Sequence, residues 1–465
     1  MVSFSRFTHV YELGDAVALY HSLRMKPVYL TRETYENLQA WLASSFCSNC
    51  EDAPESIKTE VAELVKCKIL TQSEDEDGKV LNFIKSKIPA PAINVCYIIL
   101  SEQCNLACKY CFLGNNDVDK RCNFNLENMS EETADKAIEF FIKQIKLSGL
   151  DTEENKPVLI FYGGEPLVNF SVLEYVANKI NTLRNSEKCI KNLEMSMVSN
   201  GVLLNEERIL KLKELGVSIA ISVDGFTEEA NSMRVDIAGK PVFSRILSIL
   251  DKCKELNVDV SLSVTLSEET IKDTKNILDL VDTYGVKAFG FNIMMSSDTF
   301  VLPDSYNEKA AQFIIDEFVE LRERGIYEDR MMRKLKAFSK AQVYFSDCAA
   351  TAGGQIVVAP NGQVGICHGC LYDKQYFVSN VDDKRFDATK DPNFVEWSQL
   401  TPINHEECMD CPALGICGGG CPINAMHLKP GNTIHSLDER FCVHSKKTLE
   451  FLIKDLYRII LEGDA

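Results

Sequence analysis

Between residues 92 and 300 two hydrophobic patterns take turns along the chain. The first is a short apolar, β-branched run, and it occurs six times: NVCYIILSE, PVLIFYGG, LEMSMVSNG, GVSIAISVDG, DVSLSVTLS and KAFGFNIMM. The second has apolar residues at helical spacing, as in SEETADKAIEFFIKQIKL, SVLEYVANKINTL, NEERILKLKEL, VFSRILSILDKCKEL and SEETIKDTKNILDLVDTY. Strand and helix patterns in alternation predict parallel strands joined by crossover helices. Six units fall short of a closed eight-stranded barrel. The expected fold is therefore α/β, an open partial (β/α)6 barrel, with its active site at the carboxyl ends of the strands.

The first 90 residues read differently. FTHVYEL, AVALYHSL and KPVYLT are short alternating or apolar runs, which predict strands joined by tight connections. TRETYENLQAWLASSF follows, with Thr31 as helix cap and Leu38, Trp41 and Leu42 at helical spacing. A second helix is expected in APESIKTEVAELVKCKIL, and SEDEDGKV reads as a charged turn. Strands first and helices after describe a small winged-helix-like module.

Composition narrows the class. The 465 residues have room for two or three domains, and 45% hydrophobic with 25% charged content is ordinary for a soluble globular protein. The formal net charge of −18 argues against a nucleic-acid binder with a general basic surface. No apolar run reaches the length of a membrane span, and MVSFSRFTHVYELGD has no signal-peptide pattern, so a cytoplasmic location without membrane attachment is expected. Eighteen cysteines are many for a reducing compartment and point to metal or redox chemistry.

The cysteines cluster. Cys104, Cys108 and Cys111 lie in SEQCNLACKYCFLGN, directly after the first barrel strand. A second set comprises Cys348, Cys367, Cys370, Cys408, Cys411, Cys417, Cys421 and Cys442. Cys47 and Cys50 form a CxxC that nothing nearby completes, and Cys67, Cys96, Cys189 and Cys253 read as small buried hydrophobes. The ends of the next three strands carry Gly163-Gly164-Glu165-Pro166, Ser199-Asn200-Gly201 and Ser222-Val223-Asp224-Gly225. All four groups are expected at one mouth. Three thiolates on a [4Fe–4S] cubane leave one iron open to a small chelating molecule. In the second set, zinc knuckles are the plain alternative, although seven cysteines do not divide into complete four-ligand zinc sites.

Cys104-x3-Cys108-x2-Cys111, with Tyr110 just before the last cysteine, resembles the signature of the radical SAM superfamily. That resemblance implies a [4Fe–4S] cluster and S-adenosylmethionine. It places Gly163, Gly164 and Glu165 at the methionyl amine, and Ser199 and Asn200 at the ribose or carboxylate. Arg234 is a partner for the carboxylate, and Tyr110, Ser222 and Asp224 complete the cofactor-facing set.

Cys348, Cys367, Cys408, Cys411, Cys417, Cys421 and Cys442 are similar, cysteine for cysteine, to the SPASM extension of such enzymes. The resemblance implies two auxiliary [4Fe–4S] clusters, three in all. Cys348, Cys367 and Cys421 would hold the first, and Cys408, Cys411, Cys417 and Cys442 the second. The first is one ligand short; Cys122, Cys370 or an open site could complete it, with Cys122 preferred. The amino-terminal module resembles the leader-recognition domain of peptide maturases, which adds a peptide strand to a sheet edge.

The expected organisation is a recognition domain over 1–90, a radical SAM barrel over 91–310, a bridge over 311–347 and an iron–sulfur SPASM domain over 348–465. The expected function is closure of a carbon–carbon or thioether bond within a ribosomally made precursor peptide by a 5′-deoxyadenosyl radical. The leader would bind residues 1–90, and a flavodoxin or ferredoxin would supply electrons. Anaerobic sulfatase maturation to formylglycine is the alternative enzyme, and an iron–sulfur electron carrier or scaffold the alternative without catalysis.

Overall fold

Strand alternation sorts side chains onto two faces, and those faces decide where the core and the open space lie. In the computed structural model, residues 2–44, 47, 49–111, 113, 126–296 and 300–463 are described. The strands are β1 Ser3–Phe4, β2 Thr8–Glu12, β3 Ala16–His21, β4 Pro27–Thr31, β5 Leu70–Thr71, β6 Val95–Ser101, β7 Val158–Gly163, β8 Glu194–Ser199, β9 Val217–Ser222, β10 Val260–Leu266, β11 Ala288–Ile293, β12 Tyr327–Glu328, β13 Gln355–Val358, β14 Gln363–Gly365 and β15 Phe377–Asn380. All six expected barrel strands are present. They pair in parallel in chain order, β6 to β11, with helices between them.

One face of these strands is apolar throughout. Leu159, Phe161, Met195, Met197, Ile219, Ile221, Leu262, Val264, Phe289 and Phe291 are buried in one core with helices such as Glu131–Leu147 and Phe170–Leu183. The opposite face holds small residues in register. Val198, Ala220 and Ser261 form one row, and Ser222, Ser263 and Gly290 another. A closed barrel fills such rows with bulky branched side chains. Here they are only half-buried, so the inside of the curved sheet keeps room.

The sheet does not stop at the barrel. It has ten strands in the order β12-β11-β10-β9-β8-β7-β6-β13-β14-β15. β13 pairs in parallel with β6 through Gln355–Val358, and β14 and β15 follow antiparallel. The mixed sheet corrects the expectation of a six-stranded unit with a separate cysteine-rich end. The reason is register: QIVV is buried on both sides beside β6, where it satisfies an otherwise open edge.

Two local expectations also change. SEDEDGKV is not a turn but the start of helix Glu74–Lys85. Val80, Leu81 and Ile84 recur at helical spacing and pack into a core, and Lys79 pairs with Asp75 one turn earlier at 2.6 Å. The helix expected from Ser267 begins only at Lys275. The preceding Ser267 and Thr270 are buried and bond to each other and to the backbone instead.

In the first 90 residues, β2, β3 and β4 form an antiparallel sheet, and helices Arg32–Leu42, Lys58–Lys66 and Glu74–Lys85 follow. Thr31 caps the first of these through the Thr34 amide at 3.1 Å. Strands-first order is as expected, but the region is not a loosely tethered bead. Phe7, Tyr20, Leu23 and Met25 share a core with Phe338, Ile403, Leu414, Ile416 and Leu452. A Cβ on Gly415 would lie 2.3 Å from the Ser22 carbonyl oxygen, so only glycine admits this approach. Among the described residues no helix is long and apolar enough to cross a membrane.

Candidate functional site

The loop after β6 is tied down by backbone pairing. The Ala107 and Lys109 amides donate to the carbonyls of Val235 (2.8 Å) and Met233 (2.9 Å), which brings Cys104, Cys108 and Cys111 over the strand ends. Gly163 and Gly164 come so close to this loop that side chains are excluded. A Cβ on Gly163 would lie 2.2 Å from the Ser101 oxygen, and one on Gly164 would lie 2.4 Å from the Gln103 oxygen. The Gly164 and Glu165 amides donate to those same carbonyls at 2.9 and 2.8 Å.

Burial pushes the Cys104 thiol up to about 12 and the Cys108 thiol up to about 11; Glu165 raises the first further, and Arg234 opposes the shift at the second. Thiols so placed stay protonated unless a metal compensates the thiolate charge. The donor set therefore fits a metal cluster.

The polar residues around the loop bond to one another. The Glu165 carboxylate is 1% exposed and accepts from the Ser199 hydroxyl (2.8 Å), the Asn200 amide (2.9 Å) and the Leu167 amide (3.1 Å). Burial raises its pKa to about 7 against the pull of those bonds. The Asn200 side chain donates to Asn105 at 2.9 Å and approaches the Cys104 sulfur at 3.9 Å. Arg234 is buried; its guanidinium donates to Asp224 at 2.9 Å and to the Tyr110 hydroxyl at 2.5 Å. Its other nitrogen lies 4.0 Å from the Cys108 sulfur. Tyr110 in turn donates to Asp224. Arg234 is thus already neutralised by a carboxylate of the protein. Ser222 ends β9, half-buried, beside Ser263.

Sequence reasoning missed what holds Asp224. Asn231 accepts from its amide at 2.9 Å, and the Thr270 hydroxyl donates to its carbonyl at 2.6 Å. Asn231 is seven residues away in a turn, and Thr270 sits in a segment that reads as helix. Neither has a sequence signal.

The second cysteine set separates into two neighbourhoods. Cys367 is raised by burial and then by Cys421, Cys370 and Cys348. Cys421, pushed up to about 12, feels Cys348 after burial and Asp438. Cys408 and Cys442 are each pushed to about 12; the first feels Cys417, Cys411 and Cys442, the second Cys417 and Cys411. Among the described residues no three His, Cys, Asp or Glu side chains close on one point as a mononuclear site requires. Gly418, Gly419 and Gly420 all have left-handed φ (75°, 89° and 77°), which fits the glycine run to the turn before Cys421. Cys370 is 1% exposed and feels Asp373 and Cys421. Cys122, the preferred fourth ligand, lies outside the described residues.

The inner face of the sheet joins the two regions. Tyr97 of β6 and Tyr162 of β7 pack edge to face at 5.7 Å, and His368 stacks on Tyr97 at 4.5 Å. Tyr162 feels both Cys111 and Cys367, and Tyr97 feels Cys348, Cys367 and Arg333. A cavity of about 150 Å³ is lined by Ser263, Gly290, Asn292, Asp329, Arg330 and Arg333. A larger groove of about 520 Å³ lies between the outer helices around Ile142 and Lys179, with no cysteine in its lining. Neither lining includes a cysteine.

Residues 98–281 match the model of the radical SAM superfamily. They form a radical SAM domain. Among curated relatives, the chain is 25% identical over 386 residues to the radical SAM cyclopropyl synthase TigE of Paramaledivibacter caminithermalis, covering 79% of this chain and 76% of that protein. It is 23% identical over 334 residues to the serine-type anaerobic sulfatase-maturating enzyme of Klebsiella aerogenes, covering 70% and 78%. Among solved structures, anSMEcpe with bound AdoMet aligns with TM-score 0.62 and 20% identity over 80% of this chain and 99% of its own. Streptococcus suis SuiB bound to its precursor peptide SuiA aligns with TM-score 0.54 and 14% identity over 95% and 100%. Residues 98–281 are thus the part of the chain with a family match, and its relatives include proteins named for cyclopropyl synthesis and for sulfatase maturation.

Proposed function

We propose that the protein is a peptide maturase that closes an intrapeptide bond in a ribosomally made precursor. One observation carries this reading: a strands-first module of about 90 residues packs in front of a complete barrel and cysteine-rich region. The anSMEcpe structure leaves a fifth of this chain unmatched, about the size of that module, whereas SuiB leaves a twentieth. The TigE relative is named for a cyclopropyl group, which is a carbon–carbon ring closure, so carbon–carbon bond formation is favoured here over a thioether.

Cys104, Cys108 and Cys111 are assigned to the radical cluster, and the two cysteine neighbourhoods to two auxiliary clusters, with Cys370 preferred to Cys122 as the additional ligand of the first. When bound, the radical cluster and S-adenosylmethionine supply a 5′-deoxyadenosyl radical that takes a hydrogen atom from the peptide. The chain's own residues do the rest. The Gly163-Gly164-Glu165 turn would hold the methionyl amine, while the Glu165 side chain braces the next strand end. Asp224, Arg234 and Tyr110 hold the cysteine loop in place. The small residues inside the sheet leave space for an extended peptide, and Tyr97 and Tyr162 form one wall that excludes water from it. The leader is assigned to an edge of the β2–β4 sheet, where backbone pairing gives affinity and alternate side chains give selectivity.

The test is a search for a short precursor reading frame beside the gene, followed by anaerobic turnover of that peptide by the reconstituted enzyme, read by mass spectrometry. A product lighter by two hydrogens, with 5′-deoxyadenosine formed, is expected. Turnover of a sulfatase-derived peptide to formylglycine, with none on the precursor, would move the assignment to sulfatase maturation.

A further inference from the structure

Among the buried charged side chains that the proposed chemistry does not use, Lys334 lies against the second cysteine group. Lys334 lies on helix Asp329–Lys340 and is 0% exposed. Its Nζ donates to the carbonyl oxygens of Cys417 (2.9 Å) and Ile416 (3.3 Å) and lies over the Tyr344 ring at 5.9 Å. Burial lowers its pKa, Asp347 and the Cys417 thiol pull it back up, and Arg330 and Arg333 push it down. His444, equally buried, is kept neutral by burial and by the cations Lys334 and Arg330.

An ammonium is costly in an interior unless negative charge offsets it. The nearest full charge is poorly available for that purpose: Asp347 lies 3.6 Å from Arg330, and it also faces Arg333. Arg333 is itself paired with Asp329 at 2.6 Å, so Lys334 shares Asp347 with Arg330, and its Nζ is held directly against the Cys417 carbonyl.

We propose that Lys334 is a positioning residue for the second auxiliary site, holding the Cys417 carbonyl and setting the reduction potential of the cluster bound there. The proposal rests on the assignment of that cluster. Two physical effects carry it. The two carbonyl bonds anchor the start of the turn that presents Cys417 to its partners. A fixed positive charge beside a thiolate ligand favours the more negative, reduced state and so raises the potential.

The experiment compares anaerobically reconstituted full-length protein with Lys334→Gln, Lys334→Arg and Lys336→Gln, Lys336 being exposed on the same helix. Iron per chain and the midpoint potentials of the clusters are read by titration under electron paramagnetic resonance. Wild-type iron near four per chain would refute the cluster assignment itself, before any variant is read. With about twelve irons in the wild type, Lys334→Gln is expected to lower one midpoint potential and leave the others unchanged. Lys334→Arg should restore most of that shift, and Lys336→Gln should change nothing. Loss of about four irons from Lys334→Gln alone, regained in Lys334→Arg, also supports the proposal. Unchanged potentials at full iron content, a common shift of all potentials, or loss of all iron in both Lys334 variants would overturn it.

Discussion

Gly164→Ala tests the geometry that joins the cofactor turn to the cysteine loop. Gly164 does not adopt a left-handed φ, so alanine adds no backbone strain of its own and the effect is one of contact. Its new Cβ would stand 2.4 Å from the Gln103 oxygen, 2.6 Å from the Gln103 carbonyl carbon and 2.7 Å from the Glu102 oxygen. All three are backbone atoms immediately before Cys104. Relief to an ordinary separation of about 3.5 Å moves that peptide by roughly 1 Å. Overpacking of this kind costs about 1–3 kcal/mol. At about 2–4 °C per kcal/mol for a unit of this size, the apparent Tm should fall by roughly 2–12 °C. The displaced peptide leads into Cys104, so S-adenosylmethionine binding by the reconstituted enzyme should weaken at least tenfold, an effect of about 1.4 kcal/mol or more. Gly78→Ala is the control: nothing lies within 4 Å of its Cβ, and it sits inside helix Glu74–Lys85. It should be neutral or stabilise by up to about 1 kcal/mol. Calorimetry and isothermal titration read both. A Gly164→Ala protein with wild-type melting and wild-type affinity would refute the close-approach argument.

Replacing Cys104, Cys108 and Cys111 together by Ala should remove about four of about twelve irons and abolish cleavage of S-adenosylmethionine; unchanged iron content would refute the ligand assignment. Cys370→Ala should alter the spectrum of the first auxiliary cluster, whereas Cys122→Ala should not; the reverse pattern in Mössbauer spectra would return the role to Cys122. Glu165 holds its proton to about pH 7 when folded, against 4.5 ordinarily. The folded state therefore binds the extra proton in that window, and stability should fall by roughly 3 kcal/mol as pH rises through it. Glu165→Gln should flatten that slope in denaturant titrations, and an unchanged slope would assign the dependence to another group. Met25→Ala in the shared core should cost about 2–5 kcal/mol, because its sulfur packs where a Gly415 Cβ would lie, 2.7 Å away; a change below about 0.5 kcal/mol would show the amino-terminal module to be an independent unit.

Legibility followed the range of the interaction. The six strands carry their pattern locally, and β6 to β11 fall within NVCYIILSE through KAFGFNIMM with only end residues displaced. Gly163 and Gly164 are readable as a close approach, although the partner carbonyls of Ser101 and Gln103 are not. The side-chain roles were harder. Glu165, Ser199, Asn200 and Arg234 are at the mouth where the sequence places them, yet each bonds first to the protein. Residue type and position cannot tell a ligand from a brace, because both ask for a polar group at a strand end.

By itself, the sequence determined the alternating parallel architecture and the three-cysteine loop. Each of these depends on spacing within a short segment or on the chemical identity of a few residues. Only the tertiary structure decided that QIVV extends the barrel sheet beside β6, that the first 90 residues share a core with Leu414 and Ile416, and that Lys334 is buried against Cys417. These contacts join segments up to hundreds of residues apart. Their free energy comes from closing an open sheet edge, burying apolar surface and offsetting charge, and none of these terms has a period along the chain.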